Sequence, residues 1–467
     1  MRASLLAGSF AVVVSFQSAD VVLAQTAPPR YVVTEVGDLG GGEAVASAIN
    51  SSGQVVGFSY LAGHTLGSTC DERRAFLYEN GVVSELPSLP GTRFASASGI
   101  NDRGEVSGTN NVYAENSACT GGCFPGYCEI QTPVLVSNGS AIDLSAPAPW
   151  YAGVANDVNA SGQVVGWSRK SDLPNPRTWH AFLWENGVRT DLGTLDRDWS
   201  IATGINDDGL VVGYSQLVEG GGVWYGFRWN GGVMTPLPAL GANTYNGANE
   251  VNAAGEAVGW SGPNSNEAQP VFYPLSGGVL DLGSLGGTQG SAFALNDVGS
   301  VVGYSYTVGN QSRRAFLHRG NRLWDLNDLI PASSGWELIA ATDINNLGQI
   351  VGYGCKDSRF VPPGDCVDGN GTRTFRRSFL LTPVVSIGDL RALVRSFDLR
   401  RRLEINLLAR LAVAQILLDA GYTALACQVL GGFGGEVEAQ AGGGLITSQA
   451  ALLLQTLSLV RADLGCS

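Results

Sequence analysis

One pattern recurs seven times along the chain and limits what it can fold into. It reads INSSGQVVGFS from Ile49, INDRGEVSGTN from Ile100, VNASGQVVGWS from Val158 and INDDGLVVGYS from Ile205. It continues as VNAAGEAVGWS from Val251, LNDVGSVVGYS from Leu295 and INNLGQIVGYG from Ile344. The repeated asparagines are Asn50, Asn101, Asn159, Asn206, Asn252, Asn296 and Asn345, with successive spacings of 51, 58, 47, 46, 44 and 49 residues. A period of that length holds four short strands and belongs to propeller blades rather than to shorter solenoid repeats.

The unit from Trp199 to Leu237 shows how four strands arise. SIATGIN and LVVGYS are strand patterns, and the DDG between them places Gly209 where a tight hairpin needs a positive φ. WYGFRW and VMTPLPAL form a second hairpin across NGG. The third-strand pattern recurs as RAFLY at Arg74, TPVLV at Thr132, HAFLW at His180, QPVFY at Gln269, RAFLH at Arg314 and RSFLL at Arg377. A fourth-strand pattern, YVVTEVGDL from Tyr31, precedes the first unit, and the last unit lacks one after RSFLLTPV. The N-terminal strand is therefore expected to complete the last blade and remove the open edge. The sequence reads as a mainly β protein, a seven-bladed β-propeller over residues 31–384, followed by a small α-helical bundle. A linear β-solenoid is the alternative, and it leaves the displaced strand unexplained.

His180-Ala181-Phe182, the INxxGxVVG core and the DLGTL and DLGSLGG stretches resemble the bacterial extracellular HAF repeat family over about residues 31–384. Only one unit keeps a literal His-Ala-Phe; the others place arginine, tyrosine, glutamine or threonine first, which argues against a catalytic histidine. The resemblance implies an exported protein and no particular reaction. After Pro383 leucines and alanines fall at three- and four-residue spacing, predicting four amphipathic helices. Gly421 is placed to stop the second, Thr447 and Ser448 to start the fourth, and the glycines of GGFGG weaken the third. DLRALVRSFDL at Asp389, LLARL at Leu407, ALACQVLGGF at Ala424 and TSQAALLL at Thr447 resemble the FIMAH domain over residues 386–466. That resemblance implies an accessory module.

Residues 1–24 read as a signal peptide, with Arg2 before an apolar stretch and VLA ahead of Gln25. The expected location is secreted, periplasmic or cell-surface, with no transmembrane segment. Eight cysteines, an even count, then read as disulfides. Cys355 with Cys366 is the simplest local pair, and Cys427 with Cys466 would staple the helices. Cys70, Cys119, Cys123 and Cys128 allow three connectivities. A net charge of −13 argues against nucleic acid as a partner.

No zinc-site histidine spacing and no nucleophile elbow occurs in the sequence. Calcium is the one cofactor considered, at Asp365, Asp368 and Asn370 in GDCVDGNG, and this segment does not match an EF-hand. The functional signal is aromatic. Connections between units carry Phe94, Trp150, Tyr151, Trp199, Tyr245 and Trp336, on the face that also receives the cysteine-rich insertions. Phe58, Trp167, Tyr214, Trp260, Tyr304 and Tyr353, which follow the second-strand glycine, read as packing. The expectation is a non-enzymatic protein that binds an extracellular glycan or protein through this face. The alternatives are a carbohydrate-active enzyme with its site in the funnel, or a structural surface protein. Chain length says nothing of oligomeric state.

Overall fold

The computed structural model describes residues 29–466 apart from 66–71, 116–126, 146–149, 171–177, 197–198, 217–222, 243–244, 362–364 and 398. The expected signal peptide and Cys70, Cys119 and Cys123 lie outside the described residues, as do the side chains of Cys128, Trp150, Tyr151 and Asp365. Residues Pro29–Val384 form one compact unit, and Val385 onward forms a second.

The first unit is a β-propeller of short antiparallel sheets. Ser200–Ile205, Val211–Gln216, Trp224–Asn230 and Val233–Pro236 pair in chain order as a four-stranded sheet, matching the strands read from the sequence. Sheets starting at Trp150, Tyr245 and Gly286 repeat this order. The first two repeats join into one eight-stranded sheet through a parallel bridge between Arg73 and Phe94. In the last repeat, Trp336–Ile344, Ile350–Lys356 and Arg377–Pro383 take Tyr31–Glu35 as their fourth strand, with Tyr31 opposite Pro383. The displaced strand thus fills the place expected for it. Successive first strands touch one another around a closed circuit that returns from Trp336–Ile344 to Gly40–Ile49. A linear solenoid has no such return.

Each repeated sequence element has a separate physical task. Gly209 adopts φ +78° in the first hairpin turn, as its position requires. Gly213, on the second strand, has another reason to be glycine: a Cβ there would collide with the Ile201 carbonyl oxygen. The close approach accompanies a β-bulge at Thr203, and the same register shift recurs in all seven first strands. The third-strand phenylalanines Phe76, Phe182, Phe227, Phe316 and Phe379 are fully buried. Phe227 packs with Val165, Ala181 and Leu192 of the preceding repeat, so it seals the space between sheets. Burying one such ring contributes roughly 2–3 kcal/mol.

The asparagines close the circuit. Each Oδ1 accepts backbone N–H groups of its own turn; for Asn206 these are Asp208 N at 3.2 Å and Leu210 N at 3.0 Å. Each Nδ2 donates to the carbonyl of the next repeated asparagine: Asn50 to Asn101, Asn101 to Asn159, Asn159 to Asn206 and Asn206 to Asn252. The series continues from Asn252 to Asn296 and from Asn296 to Asn345, and Asn345 returns to Asn50 at 3.0 Å. One side chain therefore shapes a turn and binds its neighbour, which explains why the residue type does not drift.

The second unit has helices α1 (Ile387–Ser396), α2 (Arg401–Asp419), α3 (Thr423–Gln440) and α4 (Thr447–Asp463). Leu390, Val394, Leu407, Leu411, Leu430, Phe433, Leu453 and Leu457 share its core. Gly421 ends α2 at φ +81°, with Tyr422 N–H bonded back to the Leu417 carbonyl. At the start of α4 the Gln449 side chain accepts the Ile446 N–H, and the side chain of Ser448 lies outside the described residues. The glycines of GGFGG do not break α3, because Gly434 lies against Leu457 of α4, where a Cβ would come within 3.0 Å. Disulfides join Cys427 to Cys466 here and Cys355 to Cys366 in the β unit, as expected. Among the described residues no cysteine is free and no helix is long and apolar enough to cross a membrane.

Candidate functional site

The bulged first strands place one residue of each repeat, two before the asparagine, next to its counterparts. These residues are Ala48, Gly99, Asp157, Gly204, Glu250, Ala294 and Asp343. The geometry is tight: a Cβ on Gly99 would stand 2.7 Å from the Asp157 carboxyl, and one on Gly204 would stand 2.9 Å from that of Glu250. Three carboxyls therefore face a lining that is otherwise glycine and alanine. Asp157 accepts N–H groups from Val158 and, across to the next sheet, Ile205; Asp343 accepts from Ile344 and Ile49. Glu250 accepts from Val251. Protein enclosure pushes Asp157 up to about 6 and Asp343 up to about 7, because desolvation outweighs these hydrogen bonds. Glu250 is raised well above its ordinary value by burial and by the charges of Asp157 and Asp343. Each of the three retains some solvent access, as groups in the wall of a narrow water-reachable channel do.

The opposite end of the sheets carries the aromatic residues. Trp167, Trp179, Trp199, Trp224, Tyr214, Trp260 and Tyr245 run in unbroken ring contact across three repeats. Trp179 and Trp199 stack with centroids 4.8 Å apart and planes 11° apart, and Trp199 continues to Trp224 at 6.0 Å and 22°. All seven are only half-buried. A parallel bridge joins the Trp179 and Trp199 backbones, the same junction that Arg73 and Phe94 make between the first two repeats.

The sequence-derived aromatics divide within this frame. Trp199 and Tyr245 stand in the run, with Tyr245 4.3 Å from Trp260. Phe94 is buried, at 6% exposure, beneath the Arg73 guanidinium. Trp336 meets buried Phe379 edge-on at 6.0 Å. Trp150 and Tyr151 open the strand Trp150–Val158. Sequence reasoning missed Trp179 and Trp224, whose signal was their shared place one residue before the third-strand motif. It read Trp167, Tyr214 and Trp260 as packing, and these three do pack against the other rings of the run, half-buried.

In three repeats the first position of the HAF motif carries an ion pair to the fourth strand or the turn that follows it. His180 Nδ1 lies 2.9 Å from Asp191, Arg74 lies 3.1 Å from Glu85, and Arg377 lies 3.0 Å from Asp38. Arginine replaces histidine there without loss of the pairing. His64 stacks on Tyr60 at 3.8 Å, and burial lowers the pKa of His318. In the calcium candidate, the Asp368 carboxylate accepts the Asn370 and Thr372 N–H groups and so caps its own turn. Among the described residues no three histidine, cysteine, aspartate or glutamate side chains come together as metal ligands.

Neither a family model nor a curated protein matches the sequence. Among solved structures, the β-propeller domain of the Trilobed protease from Pyrococcus furiosus is similar with TM-score 0.45 and 11% identity, covering 73% of this chain and 93% of that one. The Pyrococcus horikoshii acylaminoacyl peptidase gives 0.42 and 12%, covering 72% of this chain and 53% of that one, about half its length. TolB from Acinetobacter baumannii gives 0.37 and 12%, covering 62% and 63%. Likeness at this level carries nothing about activity or ligand.

Proposed function

We propose that this is an exported, non-enzymatic, seven-bladed propeller of the HAF repeat type that binds an extracellular glycan on its aromatic face, with the FIMAH-like helices as an accessory module. The observation that carries this reading is the half-exposed run of seven rings from Trp167 to Tyr245. Rigid aromatic side chains offer large apolar area at small entropic cost, and they commonly anchor binding sites. Leaving so much indole surface half-covered costs hydrophobic burial, which a ligand would restore. The closed asparagine circuit supports counting seven blades. The two disulfides support export.

The test is glycan-array binding by the secreted protein and by a Trp199→Ala/Tyr245→Ala double variant. Binding should fall at least tenfold, since losing two anchors of about 1–2 kcal/mol each exceeds the 1.4 kcal/mol of one decade. Unchanged binding by a folded double variant would refute the platform. A carbohydrate-active enzyme is the second reading, favoured by the carboxyls of Asp157, Glu250 and Asp343 in the channel wall. Their use in holding backbone N–H groups counts against it.

A further inference from the structure

We infer that the ligand of this face carries carboxylates and that Arg313 receives one of them; the inference rests on the glycan-binding reading above. Arg313 occupies the place in its repeat that Trp179 and Trp224 occupy in theirs. Its guanidinium lies over Tyr304 at 3.7 Å and within 6.0 Å of Tyr353 from the next repeat. Its Nε is buried without a hydrogen-bond partner, and among the described residues no carboxylate pairs with the group.

Arg73, at the same place in the first repeat, shares this unpaired setting over Phe58, whereas the arginines nearer to Arg313 in its own and the next repeat are paired. Arg314 pairs with Glu337 at 3.2 Å, Arg376 with Glu43 at 2.6 Å and Arg377 with Asp38 at 3.0 Å. The chain has 41 acidic and 28 basic side chains, so carboxylates to satisfy a cation are plentiful. A half-buried guanidinium without a counter-charge is costly to hold. The tyrosine faces hold the cation by its planar surface and fix its direction. The remaining guanidinium N–H groups are then free for a planar anion, the geometry that suits a carboxylate.

Its place in the repeat ties the residue to the aromatic run, since Trp179 and Trp224 enter the run from the same position, one residue before the third-strand motif. Arg376 lies 5.7 Å from the other side of the same junction, at Tyr353. A polymer lying along the indoles would therefore reach Arg313 one repeat further on. The ligand class that combines apolar sugar faces with regular carboxylates is an acidic polysaccharide.

The experiment uses the full secreted chain with polygalacturonate, alginate and hyaluronan, each compared with its carboxyl-reduced, neutral form. At least one acidic polymer should bind about tenfold or more tightly than its reduced form. Arg313→Ala should remove that preference, and Arg313→Lys should restore part of it, with rising salt weakening only the acidic form. If neutral forms bind equally well and lose affinity in the Trp199→Ala/Tyr245→Ala variant, the carboxylate inference fails and the glycan reading stands. If an acidic polymer binds and Arg313→Ala leaves its affinity intact, Arg313 is not the receiver and the inference falls. If none of the six polymers binds, both readings fall.

Discussion

Replacing Asn206 by alanine isolates one joint of the asparagine circuit. The side chain is 7% exposed and makes three hydrogen bonds: Nδ2 to the Asn252 carbonyl at 3.0 Å, and Oδ1 from Asp208 N at 3.2 Å and Leu210 N at 3.0 Å. Each such bond contributes about 1 kcal/mol net, so the loss should be about 3 kcal/mol. Asn206→Asp is the sharper perturbation. It keeps the two acceptor contacts and turns the single donor toward the Asn252 carbonyl into an acceptor. It should cost at least as much as alanine when ionised, and less near pH 4, where the acid can donate. The assay is denaturant unfolding followed by tryptophan fluorescence. All ten tryptophans lie within the β unit, so the signal excludes the helices. A loss below about 0.5 kcal/mol for alanine, or an aspartate variant as stable as the parent, would refute the reasoning.

The channel carboxyls give a stability that falls as pH rises. Asp157 and Asp343 have folded pKa values raised to about 6 and about 7, above their ordinary 3.8, so between pH 4 and 7 the folded state binds the extra protons. Their stabilising effect is complete at the acid end and lost as pH passes 7. For Asp343 alone the change from pH 5 to 7 is about 2 kcal/mol, since the slope of about 1.4 per unit falls by half as pH reaches the folded pKa. Asp343→Asn should flatten the profile measured by the same unfolding assay; a profile that climbs from pH 5 to 8 in the parent contradicts this. Breaking Cys427–Cys466 as a double serine variant should destabilise the helical unit by about 4 kcal/mol, from the entropy of the 39-residue separation it closes. Circular dichroism at low denaturant would detect the loss, and an unchanged helical midpoint would contradict it.

Strands and hairpins were legible because their causes are local. The alternation in SIATGI and the glycine after DD act within a few residues, and Ser200–Ile205 with Gly209 at φ +78° follow from them. The ring closure was legible from a strand out of place. What escaped is carried by partners a whole repeat away. Asn206 could be read as a turn residue, while its bond to Asn252 spans 46 positions. Gly213 gave no sign that a carbonyl from the first strand presses on it. Asp157, Glu250 and Asp343 come to line the same circuit of first strands only when the repeats are curled, although stacking the seven motifs in register does set them in one column. The Ser386–Asp389 capping box of α1 was local and readable, and it was overlooked.

The pairing of Tyr31–Glu35 with Arg377–Pro383 has a consequence for how the molecule is made. Among the described strands of the β unit, the one synthesised first has no partner until the last exists. Until then both ends of the growing row of sheets present bare backbone edges, the form most prone to pairing with another chain. Each repeat can fold its own hairpins as it emerges, yet the circuit of asparagine bonds stays open at the joint from Asn345 to Asn50. Assembly is thus a clasp fastened once, at the end, and its timing is set by the longest loop in the chain rather than by any single blade.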